Sequence, residues 1–464
     1  MQKNTQNRRT FIKSAGIVSL GFMGLTQYVN AKSFMTPAAN NAGYGPLLKD
    51  PEGILNLPKD FSYKIISRGG DKMTDGFYSP GNPDGMSTFK GSQGKVILIR
   101  NHETNPGAEE GPYGKNLELL SKLKPEQIYD YGKGSKPGTG GTTTLIFNEK
   151  SGEVETSYLS LAGTVRNCAG GVTPWNSWIT CEENTSRAGE ELEKDHGYNF
   201  EVPASEKIRL TEPTPLKEMG RFNHEAVCVD PRNSIVYQTE DRGDGLIYRF
   251  LPNKEGKLHK GGKLQVLAIK GQKSYDTRNW KDLETPKMPK NQKFDVEWLD
   301  IDNVEAPEDD LRFRGYENGA ARFARGEGMW FGDNEVYFAC TNGGEIASGQ
   351  VFRYIPSEFE GTARENEQPG TLELFLEPND QDILKNCDNL TVAPWGDLIL
   401  CEDHPEPFVV GVTQQGEFYK LAENTGFRTE FTGGVFSPSG DTYFVNIQGA
   451  GLTVAITGPW KKQV

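Results

Sequence analysis

The sequence predicts an all-β protein, a six-bladed β-propeller with long surface insertions. Two features carry this prediction: one hairpin pattern occurs six times, and turn residues are frequent while helix-periodic segments are few. Glycine alone accounts for 54 of the 464 residues, as expected for short strands joined by tight turns. A chain of this length can bury one large core, and the repeat favours a single all-β domain over several separate ones.

Each copy of the repeat consists of a tight polar turn, four or five alternating apolar residues, and an acid or an amide. The copies run over residues 92–103, 174–183, 231–241, 332–342, 394–403 and 438–446. Irregularly spaced copies of one hairpin indicate radial repetition, in which each unit buries its faces against its neighbours. Six copies predict six blades, and the polar segments between them are expected to form surface loops and outer-strand connections.

The acids of the repeat fall at both flanks of the hairpin. The first strand of a hairpin begins at the end of the sheet where the second strand finishes, so acids on the two flanks meet. In the third copy Glu225 opens the first strand and Glu240-Asp241 close the second, while the fourth and fifth copies open with Glu327 and Asp388. If these strands line a central channel, carboxylates converge at one mouth, where they would repel one another unless cations lay between them.

The N-terminus has the pattern of a twin-arginine export signal. Arg8-Arg9 precedes an apolar stretch over residues 15–29, and a small-residue cleavage site ends at Ala31. We therefore expect a signal peptide over residues 1–31, recognised by the twin-arginine export machinery, and a single propeller catalytic domain over 32–464. The mature protein is expected in the periplasm or outside the cell.

Charge bears on the partners of the exported protein. Loss of residues 1–31 removes four basic residues and no acidic one, which changes the formal charge from −13 to −17. An acidic surface argues against nucleic-acid binding and against docking on anionic membranes. A closed propeller leaves only short, protected sheet edges, so we expect a monomer.

The six cysteines divide into two kinds by position. Four lie inside predicted strands and are interpreted as small buried residues rather than disulfide partners: Cys181, Cys228, Cys340 and Cys401. Cys168 and Cys387 instead lie at the mouth end of their repeats, and one of the two could be a metal thiolate.

Oxygen atoms dominate the candidate ligands. The five histidines include no pair with the spacing of a zinc protease, which argues against such a site. The acids that recur at equivalent places are Glu103, Glu182, Glu183, Glu225, Glu240, Asp241, Asp244, Glu327, Asp388, Glu402 and Asp403. A hard, anionic set of this kind suits calcium or a ferric ion, and one thiolate joining it would favour the transition metal.

Two further groups of residues have a place in this prediction. Arg325 lies two residues before Glu327, on the same face of a strand, where its planar fork could bind a phosphate or carboxylate substrate. A plain salt bridge between Arg325 and a neighbouring acid is the alternative. Arg221 and His224 are interpreted as hydrogen-bonding partners that orient Glu225.

With these residues identified, the chain resembles the PhoX family of alkaline phosphatases, exported propeller enzymes with an iron–calcium cofactor. The resemblance spans most of the mature chain. The motifs that carry it are Asn101-His102-Glu103, Gly140 to Thr144, Asn167-Cys168 through Glu183, Gly220 to Glu225, Glu240 to Gly245, Arg325-Gly326-Glu327 and Asp388 to Thr391.

The resemblance implies a role for individual residues. Cys168 is similar to the cysteine ligand of iron, and Arg325 to the arginine that holds the transferring phosphoryl group. The carboxylates that resemble ligands shared among two irons and the neighbouring calciums are Glu183, Glu225, Asp244, Glu327 and Asp388. Near Thr144 the family pattern has an asparagine that contacts the phosphate, so Thr144 is expected to bind substrate with a shorter reach.

The leading hypothesis is therefore hydrolysis of small-molecule phosphate monoesters by an exported alkaline phosphatase that uses ferric iron and calcium. One alternative is a calcium-dependent lactonase or phosphotriesterase on the same propeller, for which Cys168 would have no use. The other is a secreted propeller without enzymatic activity, in which the acids hold structural calcium and the loops bind a partner.

Overall fold

The computed structural model describes residues 42–461 of the chain, so the predicted export signal at residues 1–31 lies outside the described residues. Within residues 42–461 the fold is all-β, with one α-helix, α1 (Leu311–Asn318). Short 3-10 turns occur at Ser92–Gly94, Leu120–Lys122, Pro125–Gln127, Gly132–Gly134, Lys217–Met219, Leu258–Lys260, Glu365–Glu367 and Gln448–Ala450. None of the helices in this part of the chain is long and apolar enough to cross a membrane.

The strands are short and follow one another in antiparallel hairpins. In chain order they are β1 (Leu47–Leu48), β2 (Leu55–Pro58), β3 (Ser62–Arg68), β4 (Pro83–Lys90), β5 (Lys95–His102), β6 (Gly140–Asn148), β7 (Glu153–Thr164), β8 (Asn167–Val172), β9 (Ser177–Glu182), β10 (Asn199–Pro203), β11 (His224–Val229), β12 (Val236–Glu240), β13 (Ile247–Pro252), β14 (Gly262–Ile269), β15 (Lys293–Asp300), β16 (Gly326–Phe331), β17 (Val336–Cys340), β18 (Gln350–Ile355), β19 (Thr371–Leu376), β20 (Cys387–Val392), β21 (Leu398–Glu402), β22 (Phe408–Val412), β23 (Phe418–Asn424), β24 (Phe431–Phe436), β25 (Thr442–Ile447) and β26 (Leu452–Thr457).

These strands form five hydrogen-bonded sheets. Two have four strands, in the orders β4-β5-β6-β7 and β24-β25-β26-β3, and a three-stranded sheet has the order β8-β9-β10. A six-stranded sheet contains β20 to β23 extended by β2 and β1. The nine-stranded sheet joins β11 to β14 with β16 to β19, because β15 pairs with both outer strands, β14 and β19.

The six predicted hairpins all occur, and each begins a unit of the fold. We call β4, β8, β11, β16, β20 and β24 the inner strands of units 1 to 6, and β5, β9, β12, β17, β21 and β25 their second strands. Each inner strand packs against the inner strand of the next unit, and β24 packs against β4, which closes the ring. The prediction of an all-β, propeller-like fold is thus confirmed.

The ring is closed by two ends of the chain that are far apart in sequence. Strand β3 pairs with β26 over Arg68↔Leu452 to Ser62↔Thr457. The side chains between neighbouring sheets form apolar clusters, the largest of which fills the space between units 3 and 4 around Tyr237, Phe338 and Phe352. Apolar contact between neighbouring sheets is what radial packing requires.

Glycines on the inner strands allow their backbones to approach closely. A Cβ atom at Gly85 would lie 2.5 Å from the Cα of Ala169 in β8, and one at Gly328 would lie 2.7 Å from the Cα of Asn389 in β20. No larger residue fits at either place. The inner strands are therefore close enough for side chains of different units to meet at one end, which we call the mouth: the end where inner strands begin and second strands finish.

Candidate metal centre

All six inner strands contain a β-bulge at the mouth. Pairing with the second strand shifts register between Pro83/Met86, Asn167/Gly170, His224/Val227, Gly326/Met329, Cys387/Leu390 and Thr432/Val435. A bulge leaves one residue unpaired and re-aims its side chain. The first bulged residues are Asp84, Cys168, Glu225, Glu327, Asp388 and Gly433, so five of the six units place an acid or a thiol at the same point of the mouth.

A second set of side chains follows the second strands. The residues directly after them are Glu103, Glu183, Asp241, Thr341 and Asp403 in units 1 to 5. Each donates its backbone N–H to the carbonyl of the residue just before the inner strand, at 2.8–3.1 Å. In unit 6 the ladder runs one pair further and ends with Gln448 donating to the carbonyl of Glu430 at 3.3 Å.

These two sets form three groups of potential metal ligands within residues 42–461. In each group the candidate ligand atoms lie within 4.8 Å of one another. The groups are Cys168, Glu183 and Glu225; Glu225, Glu327 and Asp388; and Asp388, Asp403 and Glu430. Because Glu225 and Asp388 each belong to two groups, the three groups form one continuous chain of ligand atoms across units 2 to 6.

Burial and mutual repulsion oppose ionisation of these acids. Burial raises the pKa of Glu225 well above its usual range, and the charges of Asp388 and Glu183 raise it further. The pKa of Asp388 rises to about 8, first through burial and then through Asp403. Burial likewise raises the pKa of Glu183 to about 7, against the effect of Arg166. Such acids ionise together only when cations compensate their charge.

The thiol of Cys168 is fully enclosed in the first group. Its Sγ lies 3.3 Å from the carbonyl oxygen of His224, and burial followed by the charge of Glu225 raises its pKa well above the usual range. The amide of Asn101 donates to the carbonyls of Cys168 and Ala169 at 2.9 and 2.7 Å, and so holds this bulge in place.

Arg325 is the residue just before the inner strand of unit 4. Its Nε and Nη2 donate to the two carboxylate oxygens of Asp241, both at 2.8 Å, and Nη2 also donates to Glu327 at 2.9 Å. The alternative of a salt bridge is thus present, but it leaves Nη1 without a hydrogen-bond partner among residues 42–461. That nitrogen remains able to bind an anion.

Adjacent acids at the ends of the second strands have different environments. Glu182, Glu240 and Glu402 are the last residues of their strands. Each accepts a backbone N–H from a residue that follows it in the chain: Gly197 donates to Glu182 at 2.9 Å, Leu246 to Glu240 at 3.1 Å and Phe408 to Glu402 at 2.9 Å. None of them belongs to the three ligand groups. Alternation along the strand turns the following acid toward the mouth instead.

The structure brings together five of the six predicted metal ligands: Cys168, Glu183, Glu225, Glu327 and Asp388. Asp244 belongs to none of the groups. Its carboxylate accepts a hydrogen bond from Nε of Arg312 at 3.2 Å, in the loop after β12.

Thr144 lies within the sheet, opposite Ile99 and Tyr158 in the middle of β6, and is fully buried. It is four residues from Gly140 at the mouth end of the strand, or about 13 Å at roughly 3.3 Å per residue. The structure therefore gives no support for the expected contact between Thr144 and a substrate.

Cys387 does not occupy the place of Cys168. Cys387 pairs with Glu402, one residue before the bulge, which is the place that Asn167 has in unit 2. Its Sγ lies 3.7 Å from the carbonyl oxygen of Gln350. All six cysteines are free and buried, as expected for residues that are not disulfide partners.

Sequence reasoning missed three residues at the mouth. Asp84 occupies the bulge of unit 1 and accepts a hydrogen bond from Gln448 at 2.8 Å. Glu430 belongs to the third group, and Arg166 forms ion pairs with Glu103 and Glu183. Arg166 occupies the same place in unit 2 as Arg325 in unit 4. Alignment of the repeats on their inner strands would have revealed this equivalence from the sequence.

The fold and site define the class as an all-β, propeller-like protein whose mouth gathers acidic groups able to hold metal ions. The family model of alkaline phosphatase PhoX matches residues 42–451. The chain therefore belongs to the PhoX family of alkaline phosphatases, and its activity is that of a phosphatase, a hydrolase, as predicted from the sequence.

One solved structure supports the fold. Pseudomonas fluorescens PhoX in complex with vanadate, a transition state analogue, matches with a TM-score of 0.62 and 17% identity, covering 89% of this chain and 97% of that chain. A gluconolactonase from Xanthomonas campestris gives a TM-score of 0.39 and 12% identity, covering 91% of this chain and 100% of that chain. None of the curated proteins compared with the chain matches it.

Proposed function

We propose that this phosphatase is an exported enzyme that hydrolyses phosphate monoesters at a mouth holding iron and calcium. The observation that carries the proposal is the continuous chain of ligand atoms formed by three groups that share Glu225 and Asp388. Acids this close, with raised pKa values, are costly to a fold unless they hold cations. Their position beside the free Nη1 of Arg325 supports an anionic substrate.

The ligand atoms of the first and third groups differ in chemistry and so suit different metals. The first group contains the thiolate of Cys168, which suits iron and is of no use to calcium. The third group, Asp388, Asp403 and Glu430, offers only carboxylate oxygens, the ligands that calcium prefers. We therefore assign iron to the end near Cys168 and calcium to the end near Glu430.

Arg325 would hold the phosphoryl group during transfer. Asp241 fixes its guanidinium from one side through two hydrogen bonds of 2.8 Å, which leaves Nη1 directed away from Asp241. A positioned cation there stabilises charge that spreads over the phosphoryl oxygens in the transition state. Bound metal ions would add neutralisation of the carboxylates and of the phosphoryl oxygens.

We further propose that the six units are the blades of one propeller domain over residues 32–464. The closed sequence of contacts between inner strands supports six blades, with β15 as a strand that bridges two of them. Residues 1–31 would direct export by the twin-arginine machinery, and the mature enzyme would act as a monomer in the periplasm or outside the cell.

The test is hydrolysis of a chromogenic phosphate monoester at alkaline pH by the purified full-length protein, with elemental analysis of the same sample. We expect activity, bound iron and bound calcium, and loss of activity after calcium chelation. Calcium without iron would contradict the assignment of Cys168. An intact ester in a fully metal-loaded sample would contradict the proposed substrate class.

A further inference from the structure

We propose that Arg166 is a second phosphoryl-binding residue, which acts with Arg325 as a two-arginine clamp over the mouth. The inference rests on the proposed phosphatase site and adds to it a residue that contacts the substrate. It comes from the geometry of two arginines at equivalent places in different units.

Arg166 and Arg325 match in backbone as well as in position. Each directly precedes an inner strand and has a left-handed backbone, with φ of 48° and 51°. The carbonyl of each accepts a ladder hydrogen bond, from Glu183 at 2.9 Å and from Thr341 at 3.1 Å. A left-handed conformation is costly for arginine, so the surrounding structure must hold both residues in it.

The guanidinium groups also have matching partners. Arg166 forms ion pairs through Nη2 with Glu103 and Glu183, and its Nε donates to the carbonyl of Glu183 at 3.2 Å. Its Nη1 has no hydrogen-bond partner among the described residues, as is also true of Arg325. The two side chains are similarly accessible, 32% and 36% exposed, while the acids that they contact are 5–16% exposed. Each arginine thus covers acids and presents a free nitrogen above them.

The two arginines contact ligand groups that share Glu225. Arg166 contacts Glu183 of the first ligand group and Arg325 contacts Glu327 of the second, while Glu225 of unit 3 belongs to both. Because units 2 and 4 flank unit 3 in the ring, an anion bound at Glu225 would lie between the units that contain the two arginines. Planar guanidinium groups suit phosphoryl oxygens, and two of them can hold different equatorial oxygens.

A purely structural role for Arg166 makes different predictions. If it only joins Glu103 to Glu183, its replacement should loosen the first ligand group and release metal. If it binds the phosphoryl group, replacement should weaken recognition of phosphate while the metals remain.

The experiment compares the metal-loaded full-length protein with Arg166→Ala, Arg166→Lys and Arg325→Ala, and with Arg364→Ala as a control. Arg364 forms an ion pair with Glu367 in which both side chains are 60% exposed, so its removal should change nothing. The measurements are metal content, binding of inorganic phosphate by calorimetry, kcat and KM for a chromogenic monoester, and rescue by added guanidinium.

We expect Arg166→Ala to weaken phosphate binding by about tenfold and to lower kcat/KM by about a hundredfold, by analogy with the loss of other transition-state donors. Metal content should stay at the wild-type level, and guanidinium should restore part of the rate. Phosphate binding within about twofold of wild type would overturn the proposal, as would a loss of activity that only parallels loss of metal.

Two features keep the test decisive. If Arg166→Ala loses its metals, Arg166→Lys replaces it in the test, because lysine retains the charge that balances Glu183. We expect Arg166→Lys to keep its metals and to bind phosphate more weakly than wild type. Phosphate binding at the wild-type level in this variant would overturn the proposal. Phosphate binding does not require turnover. A wild-type protein that binds phosphate through Arg166 but leaves monoesters intact would contradict the proposed function and not the clamp.

Discussion

Replacement of Asn101 by leucine tests how the mouth is held in shape. Asn101 is fully buried and makes three hydrogen bonds, to the carbonyls of Cys168 and Ala169 and from Nε1 of Trp178 at 2.8 Å. Asn101→Leu keeps the volume but leaves three buried groups unpaired. At about 1 kcal/mol for each lost hydrogen bond, we expect a loss of about 3 kcal/mol in the free energy of unfolding.

The same change should weaken metal binding, because the two carbonyls belong to the bulge that directs Cys168 into the first ligand group. The assay is urea unfolding of the metal-free protein, followed by elemental analysis after reloading with iron and calcium. Asn253→Ala is the control. Asn253 is exposed and its side chain makes one hydrogen bond of 3.2 Å, to the carbonyl of Lys260, so the loss of that side chain should cost less than about 0.5 kcal/mol. A change of under about 1 kcal/mol in Asn101→Leu, with normal iron content, would refute the reasoning.

Three further predictions concern charge. Arg325→Ala should keep its metals and lose about a hundredfold to a thousandfold in kcat; near-normal turnover in the monoester assay would remove its assigned role. Arg249→Met should cost about 3–5 kcal/mol in unfolding free energy, because it leaves the buried carboxylate of Glu360, 2.6 Å from Arg249, without a cationic partner. The kcat of the folded fraction should stay at the wild-type value, and an unchanged urea midpoint would contradict the prediction. In metal-free protein the raised pKa values of Asp388, about 8, and Glu183, about 7, mean that the folded state binds protons that the unfolded state has released. Stability should therefore fall as pH rises from about 4 to about 8, by up to about 1.4 kcal/mol per pH unit for each group; a thermal midpoint of chelated protein that rises from pH 6 to pH 8 would contradict the shifts.

Several features could be predicted because they depend on local pattern. Alternation with period two and tight polar turns specify each hairpin, and antiparallel pairing brings its two flanks to one end. That rule places Glu225, Glu327 and Asp388 at the same end of their own hairpins. The choice of Cys168 as ligand came from the resemblance to a family, since the residues alone left Cys387 equally suitable.

Other features required the register between strands. Glu182 and Glu183 are adjacent in the sequence, as are Glu402 and Asp403. The sequence does not show which of the two adjacent acids faces the mouth. Only the structure shows that the first of the two acids accepts a backbone N–H from the segment that follows it, from Gly197 for Glu182 and from Phe408 for Glu402, while the second acid faces the mouth. The bulge likewise distinguishes Cys168 from Cys387. Cys168 lies at the bulge and Cys387 one residue before it, and a shift of one residue turns a side chain to the opposite face of the sheet.

The sequence by itself determined the all-β class, the repeated hairpins and the presence of an acidic mouth, because these depend on residues close together in the chain. Only the tertiary structure decided which acids share ligand groups, that Asp244 binds Arg312 instead, and that Arg166 and Arg325 each contact an acid of a group that contains Glu225. Those relations join units separated by tens to hundreds of residues. Their distances depend on how the inner strands pack around the ring, which no local pattern specifies.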